Sequence, residues 1–395
     1  MKTTNTVVIG GVKLVIGAEA SKEVGKEAKA IGIEKAFVVL DQGIISAGLH
    51  QMVLESLKEN EVPYEIFDKV PSDPPVSIVM EGARLLKETG CDGVIAVGGG
   101  SVMDAAKAIN MMSTNDGNIL EYDNSPTGGR KFKNAGHPLL SVPTTSGTGS
   151  EVTQYAVITS EEEQRKATIG DPKLVSKAAF LDPLMTVGLP QKVTAATGID
   201  ALAHAIEAYT SNRVIGVPGS SVFSDTYALK AMELIGANLR QAYAQGAVLE
   251  ARKNVMLGAT MAGFISQAGS GAAHGMGTPL GAHYHVPHGT AVGIMLPYVM
   301  EYNLNACLER YRNIAIALGA KVDGMDLETA ARQAVKAVDS LLKAIDFPKL
   351  KDYVKDEKEI DILAVDAEKD KCCQINARIV DKEAAKKLYV KAWNE

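Results

Sequence analysis

The chain's 395 residues are enough for two cored domains, and 46% hydrophobic with 22% charged residues is an ordinary globular balance. A net charge of −6 without a basic tract argues against nucleic acid or an anionic membrane as partner. Cys91, Cys307, Cys372 and Cys373 form no spaced framework, and MKTTNTVVIGG has no long apolar core of a signal peptide. Together these exclude a disulfide or thiolate-zinc scaffold and predict a cytoplasmic protein.

Taken in chain order, the first half alternates β-rich and helical stretches. FVVL (37–40), VIAV (94–97), LLSV (139–142) and AAFL (178–181) read as buried strands, and Leu49–Glu59 and Ile78–Glu88 as amphipathic helices. That alternation predicts a parallel sheet flanked by helices. After Leu189-Pro190 helical periodicity takes over, at Ala195–Tyr209, Phe223–Asn238, Val248–Ile265, Ala306–Leu318, Leu327–Ile345 and Lys382–Trp393. The predicted organisation is an α/β domain over 1–190 and an all-helical domain over 191–395. From Asn254 to Met300 no Asp, Glu, Lys or Arg occurs, yet Gly, His, Ser, Thr and Pro break every apolar run too early for a membrane span. The stretch reads as buried, with functional backbone.

Three strand ends carry candidate ligand loops. Gly98-Gly99-Gly100-Ser101 opens a helix over 102–111, where bare backbone N–H groups and the helix dipole suit a phosphate; a plain tight turn has the same composition. Asp41 ends FVVL, where dinucleotide sheets place a ribose-reading carboxylate, although a turn-initiating Asp fits equally. PTTSGTGSE (143–151) offers hydroxyls and glycines for an anion, or serves as a linker.

In GIDALAHAIEAY (198–209), Asp200 and His204 stand four apart, on one helical face. A buried pair either satisfies itself or forms half of a metal site. His274 and His288 would complete an N3O set suited to zinc or iron(II). His283 or His285 could replace His274, since four of the seven histidines fall within 274–288. Glu207, three residues after His204, either orients a ligand or, the commoner fate of a helix acid, faces solvent.

GGGSVMDAAKAI (98–109), PTTSGTGSEVT (143–153), GIDALAHAIEAY (198–209) and AHGMGTPLGAHYHVPHG (273–289), in this order, resemble the iron-containing (group III) alcohol dehydrogenase family. The likeness runs to a tail reading LAVDAEKDKCCQINAR (363–378), and that fold is related to dehydroquinate synthase. The resemblance implies an α/β dinucleotide-binding domain followed by an all-α domain, and a homodimer or higher homo-oligomer joined through N-terminal strands. It implies Asp200, His204, His274 and His288 as ligands of one divalent metal, Fe(II) or Zn. It carries cofactor contacts onto Asp41, Asp73, Gly99, Gly100, Ser101, Thr144, Thr145, Thr148 and Lys166. The acid at Asp41 would repel the 2′-phosphate of NADP, so NAD(H) is expected. The implied activity is hydride transfer between nicotinamide and a small alcohol or aldehyde activated by the metal as Lewis acid.

Three departures from the family pattern stand out. Thr278 occupies the place of a histidine thought to relay protons, so His283 becomes an alternative relay beside the substrate pocket. Asp73 replaces an Asn beside the nicotinamide half. The segment 212–221 is longer than usual, and its Arg213 raises the expectation of an anionic, carboxylated or sulfonated, aldehyde. Two rival functions, a cyclase of the dehydroquinate-synthase type and a binding module without turnover, are weaker. The first needs basic residues that the charge-free stretch lacks, and the second leaves a complete ligand set beside a cofactor cradle unused.

Overall fold

The computed structural model describes residues 5–124, 129–163, 165–211, 221–266 and 269–395. The chain divides into two compact units, Met1–Thr145 with Gly149–Gly188, and Ser146–Thr148 with Leu189–Glu395.

The first unit is built on a seven-stranded sheet. Its strands are β1 (Asn5–Ile9), β2 (Val12–Ile16), β3 (Ala36–Val39), β4 (Tyr64–Phe67), β5 (Gly93–Gly98), β6 (Leu139–Pro143) and β9 (Ala178–Leu181), in the order β1-β2-β9-β6-β5-β3-β4. Only the β1–β2 pair is antiparallel. A separate hairpin pairs β7 (Tyr155–Ser160) with β8 (Arg165–Gly170). Helices α1 (Val24–Ala30), α2 (Gln42–Ser46), α3 (Gln51–Glu59), α4 (Val76–Glu88) and α5 (Gly100–Thr114) complete the unit.

The central strands are apolar except for Ser141, whose hydroxyl is paired with that of Ser176, because both faces are covered. Their period of two divides them between two cores. Phe37, Val39, Val94, Ala96 and Leu139 face one cluster, while Ala36, Val38, Ile95, Val97 and Leu140 face the other. Parallel pairing then brings the carboxyl ends of β3, β5 and β6 to one edge of the sheet, with Asp41, Gly98–Gly99 and Thr144 just beyond them.

The second unit is helical: α6 (Gln191–Thr210), α7 (Val222–Ala244), α8 (Leu249–Ile265), α9 (Ala272–Tyr284), α10 (His288–Asn303), α11 (Leu308–Ala317), α12 (Leu327–Ala344), α13 (Ile360–Lys369), α14 (Lys371–Ile375) and α15 (Lys382–Asn394). Small residues set its close approaches. A Cβ on Gly198 would collide with Leu239 of α7, and one on Gly289 would collide with the Ala196 carbonyl and stand 3.0 Å from the Asp200 Cβ. The first turn of α10 therefore lies directly against α6, beside Asp200. Helices α9 and α10 occupy part of the charge-free stretch where no helix was expected. No described helix is long and apolar enough to cross a membrane.

Candidate functional site

Helix α6 forms because its sequence is rich in Ala and straight-chain residues and free of interior Pro. It holds Asp200 and His204 on one face and Glu207 less than a turn further on. All three lie toward the interior, with Asp200 and Glu207 each only 3% exposed. Glu207 is thus not the solvated helix acid that its type suggests. Its carboxylate accepts from the backbone N–H of Gly271 at 2.8 Å and of Ala273 at 2.6 Å, and from Nδ1 of His274. The start of α9 follows a glycine with no side chain to cap it, so its orphan N–H groups are satisfied from α6 instead.

The imidazoles close on Asp200. Nδ1 of His204 donates to the Asp200 carbonyl at 2.9 Å, which leaves the lone pair of Nε2 outward. With Nδ1 of His274 held by Glu207, its Nε2 is turned to Nε2 of His204, 3.1 Å away, a separation that needs a proton or a metal ion between the two nitrogens. His274 Nε2 and His288 Nε2 each stand 3.6 Å from Asp200 Oδ1. That oxygen is buried and has no hydrogen-bond partner among the described residues. A buried carboxylate oxygen without a donor and two imidazole nitrogens face to face call for positive charge among them, either a proton on His274 or a metal ion. Ligand atoms of Asp200, His204 and His274 all fall within 4.8 Å of one another. His288, 46% exposed at its side chain, borders the open side.

The protonation balance points the same way. Burial alone would raise the Asp200 carboxyl, but the imidazoles of His204, His288 and His274 outweigh it and hold the group well below the usual carboxylate range. Burial pushes His204 down to about 4, so it stays neutral as ligation requires. At His274 burial is overcome by the Glu207 and Asp200 carboxylates, and the value rises to about 10. Surroundings that favour an imidazolium so strongly favour any cation. The residues present fit a divalent metal.

The other histidines of the cluster point elsewhere. Nine residues of α9 separate His274 from His283, a rotation of roughly 180°. His283 is exposed and bonds Asp366 of α13 through Nε2 at 2.8 Å, away from Asp200. Its expected place beside the substrate pocket as a proton relay is not supported by this geometry. His285 closes α9 in a left-handed conformation (φ 53°) and is exposed. Thr278, one turn after His274 on the same face, is exposed and donates its hydroxyl to the His274 carbonyl at 3.1 Å. Arg213 and the segment 212–220 lie outside the described residues.

In the sheet unit, most of the expected cofactor residues are contiguous. Helix α5 begins at Gly100 with Gly99 as its cap, which has no side chain to bond the first amides. A Cβ on Gly99 would stand 3.2 Å from the Thr145 side chain, so only glycine leaves backbone accessible there. The Thr144 N–H donates to the Gly98 carbonyl at 3.0 Å and ties the two loops together. The Asp73 N–H lies 3.4 Å from the Ser101 hydroxyl, and Lys166 of β8 pairs with the Asp73 carboxylate at 2.6 Å. Asp73 adopts a left-handed conformation (φ 52°), which Asp tolerates better than most residues. Asp41 caps α2, accepting from the Ile44 N–H at 2.8 Å through Oδ1. Thr148 groups with the helical unit.

Behind this loop system is a second buried charge that the sequence reading passed over. Lys107 on α5, 1% exposed, donates to Ser150 Oγ (2.8 Å), Thr153 Oγ1 (3.0 Å) and the Tyr155 carbonyl (2.8 Å). Ser150 in turn donates to Asp104 Oδ1 at 2.6 Å, and the Val157 N–H reaches Asp104 Oδ2 at 3.0 Å. The only sequence signal was a Lys three residues after an Asp in an otherwise apolar helix.

Known proteins are similar along almost the whole chain. It is 39% identical to a choline dehydrogenase of Bacillus subtilis (strain 168), over 96% of this chain and 92% of that protein. It is 38% identical to a lactaldehyde reductase of Escherichia coli (strain K12), over 93% and 94%. A crystal structure of a 1,3-propanediol oxidoreductase superposes with a TM-score of 0.91 at 33% identity, covering 99% of this chain and all of that one. The family description "Iron-containing alcohol dehydrogenase" matches residues 11–183, and the C-terminal description of the same family matches 194–393. The donor cluster on α6, α9 and α10 therefore sits in a chain that belongs to the iron-containing alcohol dehydrogenase family, a family of alcohol- and aldehyde-converting oxidoreductases.

Proposed function

We propose that this chain is an NAD(H)-dependent alcohol dehydrogenase and aldehyde reductase. In this reading Asp200, His204, His274 and His288 hold one divalent metal, with Fe(II) favoured over Zn. The observation that carries it is the buried Asp200 Oδ1, unpartnered among the described residues and faced by imidazole nitrogens. The family uses NAD(H) and a divalent metal. When bound, the metal supplies Lewis acidity toward a small alcohol or carbonyl oxygen, and the nicotinamide supplies hydride chemistry.

The chain's own residues supply position. Gly99, Gly100, Ser101, Thr144 and Thr145 offer backbone and hydroxyl donors for the pyrophosphate. Asp73 and Lys166 flank that loop as a pair. Asp41 keeps one carboxylate oxygen on its helix cap and leaves the other for a ribose hydroxyl, which favours NAD(H) over its 2′-phosphorylated form. Nδ1 of His204 is engaged by the Asp200 carbonyl and Nδ1 of His274 by Glu207, so both Nε2 atoms are left for a ligand, and ligation at His274 would displace the proton its surroundings favour. Of the two proton-relay candidates, only Thr278 shares the His274 face of α9.

An anionic substrate rests on Arg213 alone, and the relatives' names include choline, a cation, and neutral lactaldehyde. The proposed substrate is accordingly a small alcohol or aldehyde. For assembly, β1 is a sheet edge carrying exposed Val7 and Val8, a surface for a second copy of the chain. The test is NADH oxidation by a panel of neutral, cationic and anionic short-chain aldehydes, with apo protein reloaded with Fe(II) or Zn. Metal-dependent turnover with any member supports the reading, and binding of metal and NADH without turnover overturns it.

A further inference from the structure

We propose that Glu207 is a positioning residue of the metal centre: it fixes the tautomer and place of His274 and makes the start of α9 a rigid ligand platform. The inference rests on the metal-centre reading of Asp200, His204, His274 and His288.

Three independent features converge on this carboxylate. It is buried on α6 and yet accepts from the Gly271 and Ala273 amides and from His274 Nδ1, so one side chain grips both the backbone just before the ligand and the ligand's own ring. Gly271 is required by the arrangement, since a Cβ there would stand 2.9 Å from both Glu207 Oε1 and Asn376 Oδ1. The amide between those two, that of Ala272, is taken by Asn376 Oδ1 at 3.2 Å. Asn376 is itself locked to Asn303 by reciprocal bonds of 3.0 and 2.8 Å and donates to the Arg378 carbonyl at 2.8 Å. The amides of Gly271, Ala272 and Ala273 at the start of α9 are therefore all held by side chains from outside the helix.

A carboxylate on the distal nitrogen of a ligating imidazole fixes the ring and raises its basicity, and its loss typically weakens metal binding about 10- to 100-fold. A residue that merely capped α9 would have no such effect. Both roles end in a destabilised variant, so the decisive readout is metal affinity rather than stability.

The experiment titrates apo wild type and Glu207→Gln with Zn(II) against a chromophoric chelator and records the melting temperature of each with and without Zn(II). The expected result is a loss of affinity of about 10- to 100-fold with a smaller Zn-induced rise in melting temperature. Equal affinities, with only the apo melting temperature lowered, would overturn the proposal and leave Glu207 a cap. If wild type itself binds no Zn(II) or Fe(II), it is the metal-centre reading that fails. Should Glu207→Gln not fold, the imidazole 15N shifts of Zn-loaded wild type decide instead. Protonated Nδ1 with ligated Nε2 at His274 sustains the proposal, and the reverse tautomer refutes it.

Discussion

The two buried charge clusters use similar residue types to opposite ends. Around Lys107 the accounts close: an ammonium has three donors, and all three find acceptors on Ser150, Thr153 and Tyr155, while Asp104 takes a hydroxyl and an amide. Around Asp200 they do not, because Oδ1 has no donor among the described residues and Nε2 of His204 and Nε2 of His274 stand 3.1 Å apart with room only for a proton or a cation to reconcile them. A closed polar cluster holds a fold together, here pinning the segment from Ser150 to Val157 onto α5. An open one of the same burial holds atoms ready for something else. Perturbed protonation marks both clusters, so satisfaction, and not burial or pKa, separates structure from function.

The largest expected effect breaks the open cluster. Asp200→Asn keeps the shape and removes the charge that assembles three imidazoles, so kcat/KM for NADH-dependent aldehyde reduction should fall at least about 1000-fold. Metal analysis of the dialysed variant should show the ion gone. Near-normal metal content and activity would mean that Asp200 belongs with the closed kind. The matching change in the other cluster should act on stability alone. Lys107→Met strands the Asp104 carboxylate and should cost about 3–5 kcal/mol in urea unfolding while metal affinity stays at the wild-type value.

Lys107 also gives the comparison a pH signature. Burial lowers its amine to about 8 from 10.5, against the pull of Asp104 and Glu151. Between those values the folded lysine is neutral while the unfolded one is protonated, so unfolding takes up a proton and stability rises with pH across the window. The increment is roughly 3 kcal/mol at most, fully present only above the unfolded value and lost as pH falls through the folded one. Denaturant midpoints from pH 7.5 to 10.5 should show this rise in wild type and lose it in Lys107→Met.

How far these clusters could be read beforehand follows from where their signals lie. The strands around Val38, Ile95 and Leu140 are continuous apolar runs, a pattern that survives in a single sequence, as does the Asp200–His204 spacing on a long Ala-rich helix. Helices α9 and α10 were not legible because Gly271, Gly275, Gly277, Pro279 and Pro297 are helix-breaking types. Tertiary contacts override them: Glu207 caps α9 from another helix, and Gly277 and Gly289 are small because backbone passes close by. The same blindness hid the orientation of His283, since a rotation of half a turn is meaningless until the helix is known. Of the two fates the sequence leaves open for Glu207, the solvent-facing one common to helix acids fails, because its three partners lie far away in sequence and only the fold brings them to it. Hairpin β7–β8, which carries Lys166, buries alternate residues such as Ala156, Ile158, Ala167 and Ile169, but an exposed Val157 and a buried Ser160 blur the polarity pattern that a sequence would show.

Smaller effects sharpen the comparison at single residues. Asp41 holds the Ile44 amide through Oδ1, and in the proposed function its charge also reads the ribose. Asp41→Ser keeps a competent helix cap, so stability should change by less than about 0.5 kcal/mol. Removal of the charge should raise the NADPH-to-NADH ratio of kcat/KM at least about tenfold, since like charges in contact cost several kcal/mol. An unchanged ratio would return Asp41 to the role of a turn residue.

The smallest effect is expected at His283. Its exposed pair with Asp366 is worth about 0–1 kcal/mol, and α9 turns it away from His274. His283→Asn should therefore leave kcat within about twofold and the shape of its pH profile intact, because a group that passes the reaction's proton contributes about 100-fold or more. A fall of that size with loss of one limb of the profile would restore His283 as the relay. It would also show that an exposed, partnered histidine on the far face of a ligand helix can belong to the open cluster, so that hydrogen-bond satisfaction alone would no longer separate the two kinds.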